Sequence, residues 1–512
     1  DGDLGGANGI LGDGDGTGAD DQFAYAVGSD LGVSVTGTEI DTSNGNVFIH
    51  GYAKGDDGDG IFLRKSTINS ANGSINLTGI SVGSTAGSRG IIFSGDDSVT
   101  ASVSSTGGNI NIYGEAIDST GLHLWEASSI TTVDGNIVIT AAATNYDDFN
   151  VSGTSPEHEI SSINNNITFN FDSSSHLQNI NTIYAGNTLS IFTIDPTTSI
   201  GLGGGTGVLD FTTEELARLN AGNKIVIGKE GVQTGDVDVN AWNMSGKSYD
   251  VEIYGNDINM GGITMGEGSI LVHAQDNGGD TGDLVIDGNI DRDETGTATL
   301  DIRADNYIGI NTADIESSDG SINIILNADR DADEEGRISI NTVNISTNGG
   351  YFIAGGGNGD VGGANGILGD DDGTGADDMA AFSVGASSGI ALSAVDIDTS
   401  GGDIIMHGNA KGTGTDDGIG FAGTDINSGN GWTSLTGISS GDLSHSYGVA
   451  LHGHDDGTAS TITTTGGNID IFGEIAGRPG IIFWRNSSIL TNDGGITITT
   501  PSSSSQAIYG GG

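Results

Sequence analysis

A short strand preceded by a polar turn recurs along this chain. The stretch Ile40-Asp-Thr-Ser-Asn-Gly-Asn-Val-Phe-Ile-His-Gly51 defines the unit: a small polar lead-in, a Gly-Asn turn, then alternating residues. Val47 and Ile49 fall on one face, Phe48 and His50 on the other, as in a strand with one face buried. The unit returns at 104–114, 131–140, 318–326, 397–408, 463–473 and 491–499. A second small strand often follows, as in Gly60-Ile-Phe-Leu63, Gly90-Ile-Ile-Phe93, Gly121-Leu-His-Leu124 and Gly480-Ile-Ile-Phe483. Strands that return every ~25 to 35 residues predict a coiling solenoid in which each turn stacks on the last. The expected fold is all-β, a right-handed parallel β-helix. With ~25 residues per coil and ~4.8 Å between coils, it is a rod on the order of 100 Å long.

Composition agrees. Hydrophobic residues make up 35% of 512 and are periodic, so the 91 glycines do not signal disorder, and 4 prolines without a Gly-X-Y period exclude collagen. The formal charge of −54 argues against nucleic acid and anionic membrane surfaces as partners and leaves divalent cations open. The same charge also keeps a long fibre soluble. No cysteine is present, which removes disulfides, catalytic thiols and Cys-based zinc sites. No apolar run is long enough to span a membrane. With neither an initiator Met nor a signal peptide at Asp1, the chain reads as a mature piece of something larger.

The chain divides into three segments. Asp3-Leu-Gly-Gly-Ala-Asn-Gly-Ile-Leu-Gly-Asp13 matches Asp360-Val-Gly-Gly-Ala-Asn-Gly-Ile-Leu-Gly-Asp370, and His50 and Lys54 fall on His407 and Lys411 at the same offset. Residues 358–512 therefore repeat 1–153. The middle segment, 154–357, carries the one clear helix signal near 212–221: Thr212 with Glu215 forms a capping box and Gly222 stands where a helix can close. The chain ends in Ala507-Ile-Tyr-Gly-Gly-Gly512, and Phe352-Ile-Ala-Gly-Gly-Gly357 precedes the second copy. Joined to Asp1, that end reproduces the internal junction. The expectation is one period of a tandem array, or a subunit that stacks head to tail on itself.

Several passages resemble the filamentous-haemagglutinin-like large exoproteins of bacteria. The segment Phe211-Thr-Thr-Glu-Glu-Leu-Ala-Arg-Leu with Ile225-Val-Ile-Gly228 looks like one of their coils. Asn327-Ala-Asp-Arg-Asp-Ala-Asp-Glu-Glu-Gly-Arg-Ile338, with Ser346 to Gly357, looks like another of their passages. The resemblance implies a β-helix exported by two-partner secretion, displayed on a bacterial surface, and serving adhesion, cell–cell contact or fibre building.

Candidate sites are few. Asp13-Gly-Asp15-Gly-Thr17-Gly18 begins like an EF-hand loop, but Ala24 occupies the position of the bidentate Glu. Asp13, Asp15, Asp20 and Asp21 recur as Asp370, Asp372, Asp377 and Asp378. This carboxylate loop is either a calcium site or a solvated acidic turn, and the same choice applies to Asp329, Asp331 and Asp333. No other cofactor is expected. Sugar-cleaving enzymes use clustered Asp with Lys or Arg on similar scaffolds. Here Arg64 and Lys65 meet Ala422 and Gly423 in the second copy, and Arg485 meets Glu126. The expectation is therefore not an enzyme but an extracellular structural or adhesive fibre. Its partners would be itself and cell-surface glycans; the alternatives are a polysaccharide-acting enzyme and a calcium-dependent binding module. His50 and His407 read as outward strand residues. Trp125 and Trp484 either fill coil corners or stack on sugar.

Overall fold

The computed structural model describes residues 24–26, 31–85, 87–96, 98–153, 158–173, 175–278, 281–359, 361, 368–369, 375–383, 387–411, 416–440, 446–453, 457–475, 479–501 and 508–511. It is a parallel β-helix, and it divides into two compact units, Asp1–Gln233 and Thr234–Gly512.

In the first unit each coil contributes three strands. Val47–Ala53, Ile75–Ser81, Ile110–Ala116 and Ile137–Ala143 stack in parallel along the first strand line. Ile61–Arg64, Ile91–Ser94, Leu122–Trp125 and Phe149–Ser152 form the second. Thr67–Ser70, Ala101–Ser105, Ser128–Thr132 and Glu159–Ser162 form the third. Register is strict: Val47 faces Ile75, which faces Ile110, then Ile137, Ile167, Leu189 and Ile225. This column points inward, and all but Val47 are fully buried. A one-residue slip would turn the whole column outward, so burial fixes the register.

Three devices let the backbone close each coil. Gly51, Gly79 and Gly114 sit inside the first strand, two residues before its end, where the glycine that opens the second strand crosses close to it. A Cβ on Gly79 would lie 2.3 Å from the Gly90 carbonyl oxygen, so only glycine lets the two segments approach. This contact explains the recurring strand–Gly … Gly–strand signature. The corner between the second and third strands turns on one residue with positive φ: Lys65 (49°) and Glu126 (55°) in the first unit, Thr342 (57°) and Ala394 (52°) in the second. Asparagines form a ladder at the entrance to the first strand. The side-chain oxygen of Asn109 accepts the Asn136 N–H, that of Asn136 the Asn166 N–H, and that of Asn166 the Thr188 N–H. Inside, buried Ser and Thr hydroxyls donate to glycine carbonyls, as Ser162 does to Gly135 and Thr399 to Gly402. Polar groups that the coil buries are thereby satisfied.

The second unit stacks its coils in parallel lines of its own. Phe352 faces Ile404, then Thr433, Ile469 and Ile496. Ile338 faces Ile390, Ile419, Val449 and Ile481, and Ile345 faces Ile397, Ile426, Ile462 and Ile489. Here the second and third strands run on as one wherever the corner residue stays inside the strand, as Ala394 does in the nine-residue strand Ile390–Asp398.

Two sequence expectations change. The helix is Thr213–Arg218, with the Thr212–Glu215 capping box in place, but it ends before Gly222. Leu219–Ala221 is instead a strand paired with Ile183–Ala185, because Leu219 and Ala221 belong to the inward columns. Burial overrides the helical pattern. The two Gly-Gly-Gly segments are also not equivalent in place. Phe352–Gly355 lies on the first strand line against Ile404–Met406, whereas Ile508–Gly511 lies on the second, against Ile481–Trp484.

Candidate functional site

Most of the acidic loop expected to hold calcium, namely Asp13, Asp15, Asp20, Asp21, Asp370 and Asp372, lies outside the described residues. Two of the expected carboxylates are described. Asp377 is buried and its Oδ2 accepts the Gly369 N–H at 3.1 Å; Asp378 is half-buried beside it. Ala376 packs on the outward residues Ile325, Ile353 and Ile405, with Val361, Leu368, Tyr351 and Trp432 around them. Val361, Leu368 and Ala376, from the opening of the second copy, thus cover an apolar strip of the first strand line.

The Asp329 loop gathers its carboxylates. Ligand atoms of Asp329, Asp331 and Asp333 lie within 4.8 Å of one another. Ala332 and Glu334 take positive φ (59° and 72°), which folds alternate carboxylates to one side. Asp329 is buried and accepts the Glu334 N–H at 3.0 Å, and Asp333 accepts the Glu335 N–H at 2.9 Å. Burial pushes the Asp329 carboxyl up to about 7, and repulsion from Asp331 and Asp333 adds to it. Asp331 rises to about 6 through desolvation and the charges of Asp305 and Asp333. Such groups suit a hard cation with oxygen ligands, whose charge would reverse both shifts.

A further constellation, on the outward face of the first strand line in the middle segment, was missed by sequence reading. The strands Asp250–Gly255, Ile270–Ala274 and Thr297–Ala304 place Glu252, Leu271 and Asp301 in one outward column and Tyr254, His273 and Arg303 in the next. Arg303 holds Asp301 through two bonds, Nε–Oδ1 at 3.0 Å and Nη2–Oδ2 at 2.6 Å. His273 Nε2 lies 2.9 Å from Asp305 Oδ1, and Tyr254 donates to Glu252 at 3.3 Å. A cavity of about 220 Å³ lies beside this network, lined by Asp250, Glu252, Leu271, Thr299, Asp301 and their neighbours. The residues are ordinary strand members in sequence. Only the register of three coils, each a different length, brings them together.

A second cavity, about 330 Å³, is lined by Thr264, Asp291, Asp293, Glu316, Ser317, Ser318 and Ser346. Thr264, Asp291, Glu316 and Ser346 form one outward column.

His50 and His407 are partly exposed on the face opposite Val47 and Ile404. Trp125 fills no corner: it is 43% exposed and stacks on His123 (6.3 Å, 7°). Trp484 stacks on His452 of the neighbouring coil (6.1 Å, 20°). Lys65 occupies a positive-φ corner that Gly423 fills in the second copy. What that position must do is tolerate a left-handed backbone, and a cation is not required for it.

No family model, no curated protein and no solved structure matches the chain. Among the described residues, no helix is long and apolar enough to cross a membrane.

Proposed function

We propose that this chain is a structural and adhesive segment of an extracellular fibre on a bacterial surface, and not an enzyme. The observation that supports the reading is that the repeated sequence segments form the same succession of short strands. Within the coils of the second unit, Ile390, Ile397 and Ile404 take the column positions that Val33, Ile40 and Val47 take within the coils of the first. Duplicated coils extend a stiff scaffold, whereas a single catalytic centre gains nothing from a second copy. The resemblance to large bacterial exoproteins points the same way and favours two-partner secretion. In this reading the partners are further copies of the chain and cell-surface glycans. The test is the mass of the native polypeptide, taken from its own cell surface and measured under denaturing conditions. A mass several times 51.5 kDa supports a covalent array of repeats, and one species at 51.5 kDa contradicts it.

The convergence of Asp329, Asp331 and Asp333 favours a second reading, in which calcium stiffens the middle segment. Calcium that binds only the folded state raises stability by about 2.7 kcal/mol at a hundred times its Kd. An unchanged melting temperature in millimolar calcium would remove this reading.

A further inference from the structure

We propose that the cavity over Leu271 binds one ring of an amine-bearing saccharide. The inference stands apart from the fibre reading, because the groove would hold its ligand whether or not the chain continues into a filament.

The lining is mixed. Leu271, at half-burial, offers an apolar floor between two carboxylates of its own column. Glu252 stands one coil before it and Asp301 one coil after, roughly 9.5 Å apart along the stack at about 4.8 Å per coil. Asp250, Ser269 and Thr299 close a third side with a carboxylate and two hydroxyls. A pyranose presents the matching pattern, a C–H face for the floor and a rim of hydroxyls for the acceptors. At about 220 Å³ the space is smaller than the ~300–1,000 Å³ of sites for drug-sized molecules, which fits a single ring.

The carboxylates are fixed before any ligand arrives. Arg303 and Tyr254 lie outside the lining, on the adjacent outward column, and hold Asp301 and Glu252 from the side. Preorganised acceptors bind without a further ordering cost. Charge selects the kind of sugar. The lining carries three carboxylates, and Arg303 beside it offsets only that of Asp301, on a chain whose formal charge is −54. Uronic acids and sulfated sugars are repelled, and an ammonium group gains a charge-assisted hydrogen bond. The three coils involved lie in the middle segment, and among the described residues this set of side chains meets once.

The test is calorimetric titration of the intact chain, at physiological salt, with the β-1,4-linked trimer of glucosamine and with its N-acetylated form. The expected result is one site per chain for the amine trimer and none for the acetylated one. Glu252→Gln, Leu271→Phe and Thr299→Val should each weaken binding about tenfold or more, and Glu159→Gln, an exposed carboxylate of the first unit, should leave it unchanged. A melting curve for each variant separates lost binding from lost folding; Thr299→Val, the least disruptive of the three, serves if Leu271→Phe does not fold. Equal binding of the acetylated trimer overturns the amine assignment. Binding at many sites, or binding that ignores all three groove variants, reduces the interaction to diffuse attraction by an acidic chain and overturns the site. Absence of binding by either trimer overturns it as well.

Discussion

The two copies carry an equivalent carboxylate at the start of the second strand line, buried in the first and half-buried in the second, and surround it differently. Asp59 precedes Gly60-Ile61 in the first copy, and Asp417 precedes Gly418-Ile419 in the second. Each accepts a backbone N–H from the next coil, Arg89 at 3.0 Å and Tyr447 at 2.9 Å. The Arg89 guanidinium also lies 3.6 Å from Asp59. Asp417 has Tyr447 in the place of that arginine and the buried Asp416 beside it. Burial raises both carboxyls, Asp59 to about 6 despite its arginine, and Asp417 to about 8 with the charge of Asp416 adding to the rise. The hydrogen bond belongs to the coil and is kept. The charge partner belongs to the surface and drifts.

The largest expected effect is therefore on pH dependence. A carboxyl whose folded pKa lies above its unfolded value of 3.8 binds more protons when folded. Its stabilisation is complete below that value and is lost as pH rises through the folded pKa. Every tenfold gain in proton affinity on folding corresponds to about 1.4 kcal/mol. Melting temperature should fall between pH 5 and pH 8, and Asp417→Asn, which keeps an acceptor for Tyr447, should remove much of that slope. Asp59→Asn should act over a narrower window that closes near pH 6. Arg89→Tyr should widen the Asp59 window toward that of Asp417; an unaltered Asp59 titration, followed by NMR, would break the comparison.

The copies also differ in burial. Ile137 is fully enclosed, and its counterpart Ile496 is 45% exposed. Ile137→Ala should cost about 2 to 5 kcal/mol in denaturant unfolding. Ile496→Ala should cost less than about 1 kcal/mol. Equal costs would mean that the last coil is covered in solution.

Between the copies, calcium should protect the Asp329 loop. Amide exchange there should slow on adding calcium, and Asp331→Asn with Asp333→Asn should abolish the change while leaving both copies unaffected. The internal hydroxyl ladder should contribute little per rung. Ser105→Ala and Thr464→Val each remove a buried hydroxyl, which accepts the Gly108 N–H in one copy and donates to the Gly467 carbonyl in the other. Each should cost about 1 kcal/mol, and the two losses should be similar.

The fold could be read from the sequence because its determinants are local. Val47-Phe-Ile-His50 declares its buried face by alternation, and Gly79 and Gly90 mark a close crossing wherever they recur. The helix signal was half right for the same reason. Thr212 and Glu215 set the cap locally, while Leu219 answers to Ile183 one coil away. The groove over Leu271 could not be read at all. Glu252 and Asp301 meet only through a register that skips from one coil to the next, and nothing near either residue states the length of the coil between them. The Asp329 cluster was visible as alternating aspartates, but the positive φ of Ala332 and Glu334 that gathers them was not.

Parallel stacking in exact register is the claim on which the rest depends, and a chain without cysteine offers a clean test of it. Thr78 and Tyr113 are register partners on the outward face of adjacent coils. Their α-carbons should lie about 4.8 Å apart, within the range a disulfide spans. Thr78→Cys with Tyr113→Cys should therefore cross-link completely under mild oxidation and close a loop that protease mapping detects. Thr78→Cys with Ile117→Cys, four residues out of register, should stay reduced. Cross-linking of the second pair and not the first would contradict the β-helix register.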